Sequence, residues 1–194
     1  METLVLHPTS TAQWHALVND AEQAAHCRLD EDLESYLVFL LMRFAGQPQV
    51  TARVLALDYL DGLLGTGREG RDRLRDVGDV CLLYSGLFPQ VAARRRVRIS
   101  YYVQLGRTAY RELSNRLENG FAQIYVHLSQ AFVSLMDVLQ AMRTMGHQRP
   151  ALLPLEAYEL WEDTGSVSAR RSLSAVTRAV PVHLAHAPKL GLPH

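Results

Sequence analysis

Cysteine is scarce in this sequence, and long uninterrupted hydrophobic runs are missing from it. The two cysteines, Cys27 and Cys81, are far apart and lie in helical or apolar contexts, which excludes a disulfide framework and a zinc-ligand spacing. The longest uncharged segment, 119–136, is interrupted by glutamine, histidine and serine, so it is too polar to span a bilayer. The N-terminus METLVLHPTS has neither the basic head nor the apolar run of an export signal. We therefore expect a cytoplasmic protein with reduced thiols and no membrane insertion.

Lysine is almost absent, since Lys189 is the only one among 20 basic residues. The codon usage of a GC-rich genome explains such a bias, so the choice of arginine over lysine carries little functional meaning. The 20 basic residues are balanced by 20 acidic ones, and no net charge favours binding to nucleic acid or to a membrane. The signs alternate along the chain instead, and the segment 80–111 contains no Asp or Glu at all.

Apolar residues recur at helical spacing along most of the chain, and no segment has the alternation of a strand. The clearest example follows Asp30, where acidic residues in the first turn and a closing Gly46 frame an apolar face. We predict an all-α fold, a single antiparallel helical bundle of six to seven helices over residues 1–162. Residues 163–194 are predicted to form a flexible, disordered basic tail, because they are rich in Ser, Ala, Pro and His.

The predicted helices differ in how much of their surface is apolar. The sixth, from Phe121 to about Met145, is apolar on most of its circumference, which predicts one continuous central helix with Phe121 on its buried side. Predicted helix starts fall near Ser10, Asp30, Pro48, Arg68, Ser100, Phe121 and Pro154.

The sequence lacks the residue patterns that several common binding sites and reactions require. The segment 65–70 reads GTGREG, but a helical pattern precedes it and no acid follows at the distance that a dinucleotide ribose requires. It is interpreted as a turn between helices three and four. Glu22 and His26 could share a helix face, but they have no visible partners for a metal. No G-x-S-x-G motif places a nucleophile. We expect no metal, no cofactor and no catalytic residue, although this leaves an enzymatic role open.

An arginine-rich segment, VAARRRVRISYYVQLGRTAY at 91–110, is the best candidate for a contact surface. Its arginines could attract phosphates or an acidic partner if they share one surface. Three interpretations stay open: a solvated or internally paired loop, a contact with a protein partner or in a homo-oligomer, and binding of nucleic acid or another polyanion. The candidate residues are Arg94, Arg95, Arg96, Arg98, Arg107 and Arg111.

A second candidate is a small-molecule pocket between predicted helices four, five and six. A bundle can hide such a site because its residues come from facing helices. The candidate lining residues are Asp79, Tyr84, Tyr102, Tyr110 and His127. Asp79 is the only acid in an apolar half-helix, and it is expected to pair with Arg75 or with an arginine of the 94–98 run.

The segments RDVGDVCLLYSGLFP and YYVQLGRTAYREL resemble a family of bacterial all-helical proteins of uncharacterised activity, which carries the patterns GD-x-x-L, G-x-F-P and Y-x-x-L-G-x-x-A-Y. This resemblance implies a bacterial helical protein and transfers no catalytic residue. The matching residues are Gly78, Asp79, Leu82, Gly86, Phe88, Pro89, Tyr102, Leu105, Gly106, Ala109 and Tyr110. We expect a non-enzymatic regulatory or adaptor module that acts through protein–protein contact.

Overall fold

The computed structural model describes residues 10–45, 54–118, 120–145 and 152–176. These residues form ten α-helices and no strand, which confirms the predicted all-α bundle. The helices are α1 (Ser10–Ala25), α2 (Glu31–Ala45), α3 (Leu55–Leu64), α4 (Gly67–Gly86), α5 (Gln90–Arg94), α6 (Ile99–Asn115), α7 (Gly120–Gln130), α8 (Phe132–Met145), α9 (Pro154–Thr164) and α10 (Val167–Val176).

The pair of α4 and α6 is the centre of the bundle. The two helices run antiparallel, because Gly78 of α4 meets Tyr110 of α6, whereas Cys81, later on α4, meets Gly106, earlier on α6. A Cβ added at Gly78 would lie 2.4 Å from the Tyr110 ring, and one added at Gly106 would lie 2.8 Å from the Cys81 side chain. These two glycines are therefore positions of close approach, where any side chain would push the helices apart.

The predicted continuous sixth helix is wrong, because the structure divides it into α7 and α8 at Ala131. The two halves pack against different neighbours: α7 lies mainly along α6, whereas α8 lies along α1 and α4. Phe132, directly after the break, is fully buried and meets Gly106. A uniformly apolar segment does not reveal this division, since both halves read as helix.

The predicted tail is also wrong in its first part, because α10 is a helix that packs against α9 and α8. The Asp137 carboxylate of α8 anchors its start by accepting hydrogen bonds from the Ser166 hydroxyl at 2.5 Å and from the Val167 amide at 2.9 Å. Ser166 in turn accepts a bond from the Ala169 amide, as an N-cap residue does. A carboxylate at a helix N-terminus satisfies otherwise unpaired amides.

The predicted turn between the third and fourth helices is confined to Gly65 and Thr66, because α3 ends at Leu64 and α4 begins at Gly67. Arg116, just after α6, donates hydrogen bonds to the carbonyl oxygens of Gly62, Leu63 and Gly65 and so holds the end of α3. In the part of the chain described above, no helix combines the length and apolar character that crossing a membrane requires. The expected helix start at Pro48, the closing Gly46 and the tail beyond Val176 lie outside the described residues.

Candidate functional site

Asp79, in the second half of α4, is a buried carboxylate bound by side chains from two other helices. Only 1% of its surface is exposed. The hydroxyls of Tyr36 and Tyr110 each donate a hydrogen bond to its Oδ1 at 2.6 Å. The Arg43 guanidinium donates to Oδ2 and forms an ion pair with it. Three donors from α2 and α6 thus converge on one acid of α4.

Burial dominates the electrostatics of this cluster. It raises the pKa of the Asp79 carboxyl, although Arg43 and the two tyrosine hydroxyls favour the ionised form. Burial, together with the charge of Asp79, also raises the pKa of Tyr36 and of Tyr110 well above the ordinary value. Both phenols therefore keep their protons and remain hydrogen-bond donors.

The ion-pair partner of Asp79 is neither of those that the sequence suggested. Arg75, four residues earlier on α4, pairs with Asp72 and Asp76 at 3.5 Å each. The actual partner, Arg43, is 36 positions away in the sequence. Spacing along one helix identifies only neighbours on that helix, whereas Asp79 faces α2 and α6.

Tyr125 of α7 joins Tyr36 and Tyr110 in an aromatic cluster beside Asp79. The ring centroids of Tyr36 lie 6.3 Å from Tyr110 and 6.2 Å from Tyr125, with the rings nearly perpendicular. Such edge-to-face pairs are favourable beyond the area they bury. The cluster thus joins α2, α6 and α7 around the acid of α4.

Four of the five residues of the predicted pocket lie in the core around α4 and α6. Asp79, Tyr84, Tyr102 and Tyr110 are all buried, and the rings of Tyr84 and Tyr102 lie in direct contact, with centroids 5.3 Å apart. His127, the fifth predicted residue, lies apart from them on the surface of α7. These four buried residues pack helices together, and the Asp79 carboxylate accepts three hydrogen bonds from side chains of the bundle.

Half of the predicted arginine surface is bound within the fold. Arg98 forms ion pairs with Glu159 and Asp163 of α9, at 3.4 Å each. The guanidinium of Arg95 lies 5.9 Å from the Tyr84 ring centroid, and Arg107 donates from Nε to the Ser129 carbonyl at 3.1 Å. These contacts favour the interpretation of an internally paired segment for three of the six residues.

The other three arginines, Arg94, Arg96 and Arg111, are exposed. Among the described residues they have no hydrogen-bond or ion-pair partner for their guanidinium groups. Arg96 has a left-handed backbone with φ 56°, because it ends α5 in a turn closed by the Val97 amide bonding to the Ala92 carbonyl at 3.1 Å. The remaining cationic surface is therefore smaller than the sequence suggested.

A shallow pocket lies at the end of α1. It is lined by Glu22 of this helix and by His26 and Cys27, which directly follow it. The Glu22 carboxylate is used within the fold, where it accepts a hydrogen bond from the Leu29 amide at 2.9 Å. Burial raises the pKa of the Cys27 thiol, which makes it a poor nucleophile at neutral pH. In the described ranges, no group of three or more His, Cys, Asp or Glu residues is arranged to hold a metal ion.

A surface groove of about 590 Å³ lies between α2 and α7. Two phenylalanines flank it, with 62% of Phe39 and 77% of Phe121 exposed. We call this feature the α2–α7 groove. Its lining residues are Asp32, Ser35, Tyr36, Phe39, Gly120, Phe121, Gln123, Ile124 and His127.

The polar groups of the α2–α7 groove lie around its apolar wall. Gln123 and His127 hydrogen-bond to each other at 2.8 Å. Asp32 is exposed and, within the described part of the chain, forms no hydrogen bond or ion pair through its carboxylate. Tyr36 belongs to both features, because it is one of the residues that line the groove and its hydroxyl binds Asp79.

Sequence reasoning missed this groove. Phe121 was assigned to the buried side of a continuous helix, whereas the break at Ala131 leaves α7 free to follow α6 and expose it. Phe39 lies between the buried Val38 and Leu40. Its position on the solvent-facing side of α2 was the sequence signal that could have revealed the groove. An apolar aromatic residue on the polar face of a helix is informative, because it is exposed to water and lacks the stabilisation that burial provides.

No known protein family, curated protein or solved structure matches this chain. The resemblance to bacterial helical proteins across the α4 and α6 segments stays a prediction. Helical bundles host many unrelated functions, so the fold alone does not indicate what the molecule does.

Proposed function

We propose that the protein is a non-enzymatic helical binding protein, a regulatory or adaptor module that acts through protein–protein contact at the α2–α7 groove. The observation that carries this proposal is the pair of exposed phenylalanines, Phe39 and Phe121, on either side of a concave apolar surface. Aromatic anchors around a concave apolar surface are characteristic of protein-binding surfaces, and water is a poor environment for them.

The proposed location is the cytoplasm. Cys27 and Cys81 are both free thiols, and Cys81 is buried in the core, which fits a reducing compartment. The buried Asp79 cluster supports the non-enzymatic part of the proposal, because its acid already accepts three hydrogen bonds from the protein. A carboxylate held in this way stabilises the bundle that presents the groove.

The test is affinity capture from native cells with three forms of the purified protein: wild type, Phe39→Ser/Phe121→Ser, and Leu57→Ser/Leu60→Ser. The last is a matched control, since Leu57 and Leu60 of α3 are 59% and 51% exposed but lie outside the groove. We expect a partner, identified by mass spectrometry, that binds wild type and control at a defined stoichiometry and is lost from the groove variant. Equal recovery with all three forms would refute the groove as the binding surface.

A second function, polyanion binding, has one observation in its favour: Arg94, Arg96 and Arg111 are exposed and have no guanidinium partner among the described residues. It requires strongly salt-dependent retention on heparin, which reversal of these three arginines to glutamate would abolish. The matched control reverses three other exposed arginines, Arg28, Arg68 and Arg170. If both variants lose retention equally, the binding reflects overall charge and this second function is rejected.

A further inference from the structure

We propose that the α2–α7 groove binds an amphipathic helix of a partner protein, and that a lysine or arginine at one end of this helix pairs with Asp32. This inference rests on the proposed function and adds the chemistry of the partner. It is carried by three observations: the spacing of the lining residues, the Asp32 carboxylate, which has no partner within the described residues, and the fixed position of Tyr36.

The first observation concerns the spacing of the residues that line the groove. On α2 they fall at Asp32, Ser35, Tyr36 and Phe39, and on α7 they run from Gly120 to His127 at the same three-to-four spacing. Seven residues of helix rise about 10 Å, or about two turns. A surface of this length between two helices suits an apolar stripe with anchors at positions i, i+3 or i+4, and i+7 of a docked helix.

The second observation concerns charge. Asp32 is the only carboxylate among the nine described residues that line the groove, and none of the nine is arginine or lysine. Its neighbour Glu31 is also acidic and exposed. A basic residue of the partner would gain an ion pair here, whereas an acidic residue would be repelled. Nucleic acids and anionic lipid surfaces carry the wrong sign for this groove.

The third observation concerns the groove wall. The Tyr36 hydroxyl donates to Asp79 at 2.6 Å, and its ring contacts those of Tyr110 and Tyr125. The wall is therefore fixed before a partner binds. Phe39 and Phe121, by contrast, project into solvent and can adjust to the side chains that enter.

The probe is a displayed library of random peptides of about 15 residues, which is four helical turns. It is selected on wild-type protein and counter-selected on the Phe39→Ser/Phe121→Ser variant. We expect enriched peptides to carry apolar residues at helical spacing and a lysine or arginine near one end. Enriched peptides with an acidic end, or with no charge preference, would overturn the inference about the partner while the groove remained a binding site. Failure to enrich any peptide that depends on the two phenylalanines would count against the groove and against the proposed function.

A charge exchange then tests the role of Asp32 directly. A basic-ended peptide should bind about threefold more weakly to Asp32→Asn and about tenfold more weakly to Asp32→Arg, and the same peptide with a glutamate end should prefer Asp32→Arg. The control is Glu34→Arg, since Glu34 belongs to the same turn but pairs with His15 and does not line the groove. Equal losses of peptide affinity in Asp32→Arg and Glu34→Arg would show that the effect reflects overall charge, and would overturn the proposed ion pair.

The oligomeric state separates a partner protein from a second copy of this chain. Light scattering at increasing concentration should give the same mass for wild type and for Phe39→Ser/Phe121→Ser. A wild-type dimer that dissociates in the variant would show that a second copy occupies the groove, and the proposed partner would be wrong.

Discussion

Asp79 lies where the loss of one side chain leaves several groups without a partner. In Asp79→Ala the hydroxyls of Tyr36 and Tyr110 lose their acceptor, and Arg43 loses the buried one of its two ion-pair partners. We expect the free energy of unfolding to fall by about 3 kcal/mol or more, because unpaired buried polar groups carry their full desolvation cost. Asp76→Ala is the control, since Asp76 also pairs with Arg43, at 3.7 Å, but is partly exposed; it should cost less than about 1 kcal/mol. Urea denaturation measures both, and equal effects would contradict a special role for Asp79.

The raised pKa of Asp79 gives this residue a defined pH dependence. Because the folded protein binds the proton more tightly than the unfolded chain, the stabilisation from this group is complete below the ordinary pKa of 3.8 and falls as the pH rises above it. The difference in unfolding free energy between wild type and Asp79→Ala should therefore be largest near pH 4 and smaller at pH 7. A difference that grows with pH would mean that the Arg43 ion pair, rather than burial, dominates.

At the scale of single elements, α10 depends on an acid from another helix. Asp137→Ala removes the acceptor for the Ser166 hydroxyl and for the amides of Val167 and Ser168. We expect amide hydrogen exchange across α10 to accelerate, with a loss of about 2 kcal/mol in stability. Ser172→Ala, which removes only a local bond to the Ser168 carbonyl, should leave exchange unchanged. Unaltered exchange in Asp137→Ala would show that packing alone holds α10.

The end of α5 tests backbone conformation independently of charge. Arg96 has a φ of 56°, which costs an L-residue about 1–2 kcal/mol, whereas glycine adopts it freely. Arg96→Gly should therefore stabilise the protein by about 0.5–1 kcal/mol after the greater chain entropy of glycine is included. Arg94→Gly removes the same charge within the helix itself and should destabilise by a similar amount. Thermal denaturation distinguishes the two, and a destabilised Arg96→Gly would contradict the interpretation.

At the scale of the whole molecule, one core cluster includes residues from α1 to α10. Trp14 lies on α1 and Trp161 on α9, and both pack against or within this cluster. The variants Trp14→Phe and Trp161→Phe each keep one tryptophan. The urea transitions followed by the fluorescence of these two remaining tryptophans should therefore coincide with each other and with the loss of helical circular dichroism. Separate midpoints for the two tryptophans would show that the bundle unfolds in parts.

Periodicity predicted the elements of this molecule better than their assembly. The start of α2 was predicted correctly, because acids in its first turn and a regular apolar face are local features. The break at Ala131 and the anchoring of α10 by Asp137 depend on which neighbour each segment meets, and local patterns do not record that. Asp79 was recognised as unusual, but its partners Tyr36 and Arg43 come from distant positions.

The double role of Tyr36 affects the kinetics of any complex formed at the groove. Its phenol cannot rotate away without breaking its hydrogen bond to the buried Asp79 carboxyl group, so folding has already restricted the conformational freedom of this side chain. A preorganised wall reduces the entropy lost on association. Loosening that wall by Tyr36→Phe should shorten the lifetime of a bound complex and change its rate of formation little.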